Sequence, residues 1–352
     1  MKSLARRLLN LGLRHPKIRA YVKEVVRPEV IGQARSNWEV EHQAQLNQVR
    51  SNLETEHQAQ LNPFSILDSP QFRFAPPGHF YSPLPDLDYI ESNLLNDSGA
   101  IPSLGSSERK PLPDLELDLD RQFAFLMTLL KFYPDAAALF PESPPGQTRY
   151  WFNNLFYGYG DGIILFGMTR HFAPRRIIEV GSGFSSALLL DTVERFGDRA
   201  TELTFIEPYP DRLQQLLRPQ DTVTLIDKPV QSVPASFFEQ LQANDILLID
   251  SSHVTKTGSD VNYLVFEVLP RLQPGVVIHF HDIFSFEYPI EWLREGRAWN
   301  EAYLIRAFLQ YNSAYEILLM SSYVSSRYDA EFARQYPLLT HIPGCALWLR
   351  KR

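Results

Sequence analysis

From residue 149 to the C-terminus, unbroken apolar runs alternate with stretches of helical pattern. The runs are RRIIEVG (175–181), ELTFIEP (202–208), TVTLIDKPV (222–230), DILLIDSS (245–252), GVVIHFHDI (275–283), YEILLMSSY (315–323) and CALWLRK (345–351). Helical candidates at 185–196, 211–217, 236–242, 260–272 and 299–310 lie between them, the 260–272 segment with Val261, Leu264, Val265, Val268, Leu269 and Leu272 on one face. Strands that are apolar on both faces need cover on both, and parallel neighbours need helical crossovers. The pattern therefore predicts an α/β fold with a doubly wound, mostly parallel sheet. No clear helix separates the last two runs, which predicts a terminal antiparallel pair.

In such a sheet ligands bind beyond the carboxyl ends of the strands, so the residues there carry the functional signal. The first run breaks on Glu179-Val180-Gly181-Ser182-Gly183 and turns at once into the helical SSALLLDTVERF. Glycines there let bare backbone approach a ligand at a helix N-terminus. Ser186 stands where a G-x-G-x-x-G dinucleotide loop would carry its third glycine. Glu207 ends the second run and suits a ribose diol, a geometry that serves nicotinamide and methyl-donor nucleotides alike. Asp227 ends the third run. The fourth ends in Asp250 with His253 three residues on, and the fifth in His279, Phe280, His281 and Asp282. If the fourth and fifth strands are neighbours, Asp250 and Asp282 meet, and two carboxylates at one site call for a cation or a proton between them. Oxygen ligands suit Mg²⁺, and an added His281 would turn the preference toward Mn²⁺, Fe²⁺ or Zn²⁺. The other option is that the aspartates hold a ligand amine or backbone with no metal.

The set EVGSG, FIEP, IDSSH and HD, in that order over about 149–324, resembles the class I S-adenosylmethionine (SAM) methyltransferases. Within them it is similar to the group of macrolide-sugar O-methyltransferases and cephalosporin-hydroxylase-like proteins. The resemblance implies a seven-stranded Rossmann-like sheet with an antiparallel seventh strand. It implies SAM contacts from Glu179, Gly181, Ser182, Gly183 and Glu207, with Asp227 near adenine. It further implies Asp250 and Asp282 as divalent-metal ligands and His253 as the base that takes a proton from the acceptor hydroxyl. His281 departs from the acid more usual at its position, and leaves the identity of the metal open. The turn Tyr157-Gly158-Tyr159-Gly160-Asp161-Gly162 is either near the methionine end of SAM, through Tyr157 and Gly158, or a packed aromatic turn. His279 reads as packed rather than catalytic. Trp292, Arg294, Arg297 and Trp299 follow the fifth strand and suit a wall for a polar, ring-shaped acceptor, although Trp and Arg on a helix also serve plain packing.

The expected activity is methyl transfer to a hydroxyl of a small molecule or glycan. Two rivals remain open at this level: a nicotinamide oxidoreductase, disfavoured by Ser186, and an interaction protein on an inert methyltransferase fold.

The rest of the chain reads as additions to a domain at 149–352. Residues 1–62 form a basic, repeat-containing helical extension, in which SNWEVEHQAQLN (36–47) recurs as SNLETEHQAQLN (51–62). His42 and His57 lie about 22 Å apart on one continuous helix and cannot share an ion there. The basic Leu-rich residues 1–27 are either a solvated terminus or a segment that touches an anionic membrane or a partner, and the repeat could self-associate. Residues 63–148 hold half of the 26 prolines and one clear helix, at 117–133 with Asp120 as its cap, and read as a wrapping or lid region. A formal charge of −7 argues against nucleic acid, and the single cysteine, Cys345, fits a reducing, cytoplasmic setting.

Overall fold

A computed structural model describes residues 78, 79, 81–94, 112–144, 146–197 and 201–352. The chain divides into two units, Met1–Pro76 and Pro77–Arg352, and the described residues all belong to the second. The basic N-terminus and the 15-residue repeat, with His42 and His57, lie outside the described residues.

The second unit is built on strands β1 (Arg176–Val180), β2 (Glu202–Ile206), β3 (Thr224–Ile226), β4 (Ile246–Ile249), β5 (Val277–Phe280), β6 (Tyr315–Met320) and β7 (Leu347–Lys351). They form one sheet in the order β3-β2-β1-β4-β5-β7-β6. All pairs are parallel except those of β7, which runs antiparallel to both β5 and β6. Around it stand α1 (Leu119–Leu129), α2 (Tyr159–Phe172), α3 (Phe184–Phe196), α4 (Asp211–Leu216), α5 (Asp260–Tyr263), α6 (Ile290–Arg294) and α7 (Glu301–Leu309). This is the seven-stranded, doubly wound sheet that the alternation predicts.

The strands are apolar on both faces because each face has its own core. Ile178, Val180, Leu247, Ile249, Ile278 and Phe280 point into one buried cluster, and Ile177, Ile246, Leu248, Val277 and Trp348 into the other. Alternation along a strand sends successive side chains to opposite faces, so a doubly covered strand loses any polar alternation.

The departures from expectation are local. β3 pairs over three residues rather than the nine of TVTLIDKPV, since Pro229 cannot donate to a ladder and edge strands are short. Asp118, not Asp120, caps α1, its carboxylate accepting the Arg121 N–H at 2.9 Å. The 260–272 helix changes winding twice, through a π segment at Leu264–Val268 and a 3₁₀ turn at Leu269–Arg271, where Pro270 has no N–H to give. Short helices at Ser321–Val324, Ala330–Gln335 and Pro337–His341 lie between β6 and β7, each too brief for a 3.6-residue period to show.

Arg149 ties the entry of the domain to the sheet's cover. Its guanidinium is buried and bonds Asp191 and Glu194, both at 2.6 Å, and also Asp221. Removing one member of such a network strands the other charges in a low-dielectric site. Arg149→Ala is expected to cost about 3–5 kcal/mol of unfolding free energy. Urea denaturation of the two proteins checks this, and a loss below about 1 kcal/mol would show the network to be inert.

Candidate active site

The carboxyl ends of β1, β4 and β5 lie side by side, with Val180 in register with Ile249, and Ile249 with Phe280. At the first of them Gly181 adopts φ +81°, and a Cβ built on it would fall 1.7 Å from the Asp250 carbonyl oxygen. Only glycine lets the β1 turn pass so close to the end of β4. The turn then runs into α3, with Gly183 as its N-cap.

Glu179 lies beneath this turn, fully buried. The Ser185 and Ser186 hydroxyls donate to its two oxygens at 2.5 Å each, and the Ser186 oxygen accepts the Gly183 N–H at 3.0 Å. Burial pushes the Glu179 carboxyl up to about 8, against the pull of the two hydroxyls. Ser186, in the third-glycine position, is thus a strut between the acid and the turn. Glu207 accepts from the Ser182 N–H at 3.0 Å and from the Tyr209 N–H at 2.8 Å, and its remaining lone pairs can receive a diol. Ser182 Oγ is buried with no hydrogen-bond partner among the described residues, an orphan that a bound nucleotide would satisfy. Asp227 is exposed just past β3. Beside the turn, Arg212 lies 3.8 Å from the centroid of the Phe156 ring, which stacks on Phe184 at 6.1 Å.

The second half of the site centres on His253. Its backbone has φ +59°, and its carbonyl accepts the N–H groups of Asn300 and Glu301 at the start of α7. That contact brings the buried Glu301 carboxylate to 2.9 Å from His253 Nδ1. His253 Nε2 faces Asp250 at 3.4 Å and Asp282 at 3.8 Å. Burial opposes a charged imidazole, yet the hydrogen bonds to Asp250 and Glu301 hold His253 well above its ordinary value. Asp250 is also opposed by burial, but the nearby His281 and His253 bring it down to about 2. Asp282 has φ +55° and Phe286 φ +59°, so three non-glycine residues around this edge occupy left-handed backbone. Such strain gathers where surrounding structure holds side chains for function. Trp299 packs on the His253 ring at 4.3 Å, and Arg297 lies over both Trp292 and Trp299, forming a wall on this side. Arg294 points away into an ion pair with Glu91.

His281 follows β5 on the opposite side of Asp282, 3.5 Å from its Oδ1. Tyr157 stacks on its ring at 4.8 Å, which places the glycine-rich turn at 157–162 against this edge. Gly158 caps α2 just after it. Asp161, His281 and Cys345 offer ligand atoms that all lie within 4.8 Å of one another. His279 is buried against Trp348 at 4.5 Å, with no hydrogen-bond partner for either ring nitrogen among the described residues, and burial pulls it well below its ordinary value.

Residues 178–283 match the family model of a methyltransferase domain. The chain belongs to that methyltransferase family. It is 34% identical over 180 residues to an uncharacterized protein of Archaeoglobus fulgidus, a match that spans 49% of this chain and 76% of that one. It is similar in structure to the S-adenosylhomocysteine-bound methyltransferase of Podospora anserina, with a TM-score of 0.37 and 14% identity over 69% of this chain and 99% of that one. An O-methyltransferase of Bacillus cereus in complex with S-adenosylhomocysteine gives a TM-score of 0.35 and 14% identity, over 65% and 91%. Neither structural likeness is close enough to bear on chemistry.

Sequence spacing brings Asp250, His253 and Asp282 to this methyltransferase edge, but it does not find Glu301, Asp161 or Cys345. Those three reach the edge only through the chain's return by α7, α2 and the start of β7. A buried acid at a helix N-terminus and a lone cysteine carry no sequence signal of partnership.

The Glu179 proton has a measurable consequence. A carboxyl raised from 4.5 to about 8 binds its proton more tightly in the folded state, so its contribution is full below about pH 4.5 and is lost as pH rises toward 8. Glu179→Gln, which mimics the protonated form, should flatten the fall in unfolding free energy across that window and be the more stable protein at pH 8. Urea titrations at a series of pH values test this; parallel curves for the two proteins would refute it.

Proposed function

We propose that this chain is a SAM-dependent O-methyltransferase acting on a hydroxyl of a small molecule or glycan, assisted by a divalent cation, with His253 as the base. The observation that carries the reading is the His253 imidazole. A buried carboxylate holds its Nδ1, while its Nε2 faces Asp250 and Asp282 at the strand end beside the glycine turn.

Gly181, Ser182 and Gly183 present bare backbone and an unpartnered hydroxyl at the head of α3, and Glu207 offers a diol acceptor, so the residues present fit a nucleoside cofactor. Glu179 supports the turn from below, through Ser185 and Ser186. Asp227 edges the adenine side, and Tyr157 with Gly158 flanks the methionine side. SAM, when bound, supplies an electrophilic methyl group.

Asp250, His281 and Asp282 are the residues that would hold the cation. Two carboxylates on one imidazole nitrogen fit that role, since their charges otherwise crowd a partly enclosed edge. A cation held there would supply polarisation of the acceptor oxygen and would offset the carboxylate charge that faces His253. Glu301 fixes the proton on Nδ1, so Nε2 is the atom that takes the hydroxyl proton, and Glu301 then steadies the imidazolium. Trp292, Arg297 and Trp299 close the acceptor side and limit water.

Among the described residues no helix is long and apolar enough to cross a membrane. The proposal divides the chain into an extension at 1–62, a wrapping region at 63–148 and the methyltransferase domain at 149–352; the wrapping region also holds the helix Tyr133–Leu139, beyond the one expected, because Pro134 sits in its first turn, where a missing N–H costs nothing. A cytoplasmic setting and a membrane or self-association role for residues 1–62 belong to the same proposal.

Calorimetry with S-adenosylhomocysteine tests the cofactor directly, and the absence of binding to pure protein would end the reading. Asp250→Ala should abolish methyl transfer along with its metal dependence; full activity of wild type in excess chelator would remove the metal while leaving the transferase. Glu301→Gln removes a group that raises the His253 pKa. Its pH–rate profile should show the acid limb displaced to lower pH together with a lower kcat, by about 10–100-fold, at unchanged cofactor affinity. An unmoved acid limb would exclude His253–Glu301 as the proton acceptor.

A further inference from the structure

The lone cysteine does not sit in ordinary apolar packing. Cys345 Sγ stands 3.0 Å from Asp282 Oδ1 and 3.7 Å from Asp161 Oδ2, and His281 Nε2 stands 3.5 Å from the same Asp282 oxygen. All but Asp282 are buried, and His281 Nδ1 and Tyr157 Oη nearby are buried with no hydrogen-bond partner among the described residues. Two carboxylates and a thiol therefore converge where a thiol has one proton to share.

The backbone is shaped to bring them together. Gly344 has φ +87°, and a Cβ on it would lie 2.6 Å from Asp161 Oδ1. A Cβ on Gly160 would lie 2.4 Å from the Ile342 carbonyl oxygen, which accepts the Gly160 N–H at 2.9 Å. The Cys345 N–H donates to Asp161 Oδ1 at 2.9 Å, leaving Oδ2 on the thiol side. The head of α2 and the entry to β7 are thus locked edge to edge by two glycines, with Asp161 and Cys345 facing each other.

The spacing is near that of a small tetrahedral ion. With bonds of about 2.3 Å to sulfur and about 2.0 Å to nitrogen or oxygen, tetrahedral donors stand about 3.3–3.6 Å apart. Cys345 Sγ stands 3.7 Å from Asp161 and 3.0 Å from Asp282, His281 Nε2 stands 3.5 Å from Asp282, and the donors of Asp161, His281 and Cys345 all lie within 4.8 Å of one another, so a small inward shift would close them on an ion. Thiolate, imidazole and carboxylate together suit a borderline-soft ion such as Zn²⁺ or Co²⁺, and do not suit Mg²⁺.

We infer that Asp161, His281 and Cys345, with Asp282 beside them, form a binding site for a borderline-soft divalent transition-metal ion, with Asp161 and Cys345 as ligands beyond the strand-end set. The inference deepens the proposed metal assistance by naming the ion's class, and it rests on that reading for the ion's use, not for its binding.

The test uses the full chain, stripped of metal and titrated with Co²⁺. Because Cys345 is the single cysteine, an intense thiolate-to-cobalt absorption in the near ultraviolet can arise only from it. One equivalent of Co²⁺ bound with that band is the expected result. Cys345→Ser should lose the band, and Asp161→Asn should weaken Zn²⁺ in competition by about tenfold or more. Co²⁺ bound without the band would overturn the inference and leave the set of Asp250, His281 and Asp282 standing. No Co²⁺ bound at all would overturn both. The wild-type spectrum decides the matter even if a variant fails to fold, and S-adenosylhomocysteine calorimetry on the same sample reports separately on the cofactor half.

Discussion

The approach of Gly181 to the Asp250 carbonyl is the constraint on which the rest of the site depends. Two parallel strands that are neighbours in the sheet must diverge at their carboxyl ends, one into a helix and one into a loop. Here they part with no room for a single methyl group between them. The closeness sets the glycine turn and the Asp250–His253 loop against each other. A cofactor on one and an acceptor on the other would then meet across a short gap. Glu179, Ser185 and Ser186 hold the turn from below by burying an acid that keeps its proton near neutrality.

On the other side of the gap, the acids are arranged so that no charge stands alone. His253 lies between Glu301 on one nitrogen and Asp250 and Asp282 facing the other. Asp282 in turn faces His281 and Cys345. Buried charges are costly unless paired, and the pairing here runs as a chain from α7 to β7. That continuity makes the strand ends one electrostatic unit, and it explains why left-handed backbone is tolerated at His253 and Asp282.

Much of this was legible in the residues. The mostly parallel, doubly covered sheet follows from apolar runs and crossovers, while the strand order comes only from the structure; Asp250, His253, Asp282 and Glu207 fall at strand ends because each follows closely on an apolar run. Glu179 was legible in position but not in task. Its place before the glycines suggests a ligand contact, whereas the fold spends both its oxygens on Ser185 and Ser186. The cap of α1 lies two residues before the expected Asp120, since Asp118 and Asp120 are equally good caps by composition and only backbone geometry separates them.

The sequence by itself determined the sheet, its two-sided core and the line of acids along its carboxyl edge, because those depend on local periodicity and on which residues end each run. Tertiary structure alone decided that Glu301 would hold His253, and that Asp161 and Cys345, 184 positions apart, would face one another beside His281. Periodicity reports which face a side chain takes; it does not report which distant segment the fold returns to that face. That return is set by the packing of α2, α7 and β7 against a sheet that must first exist.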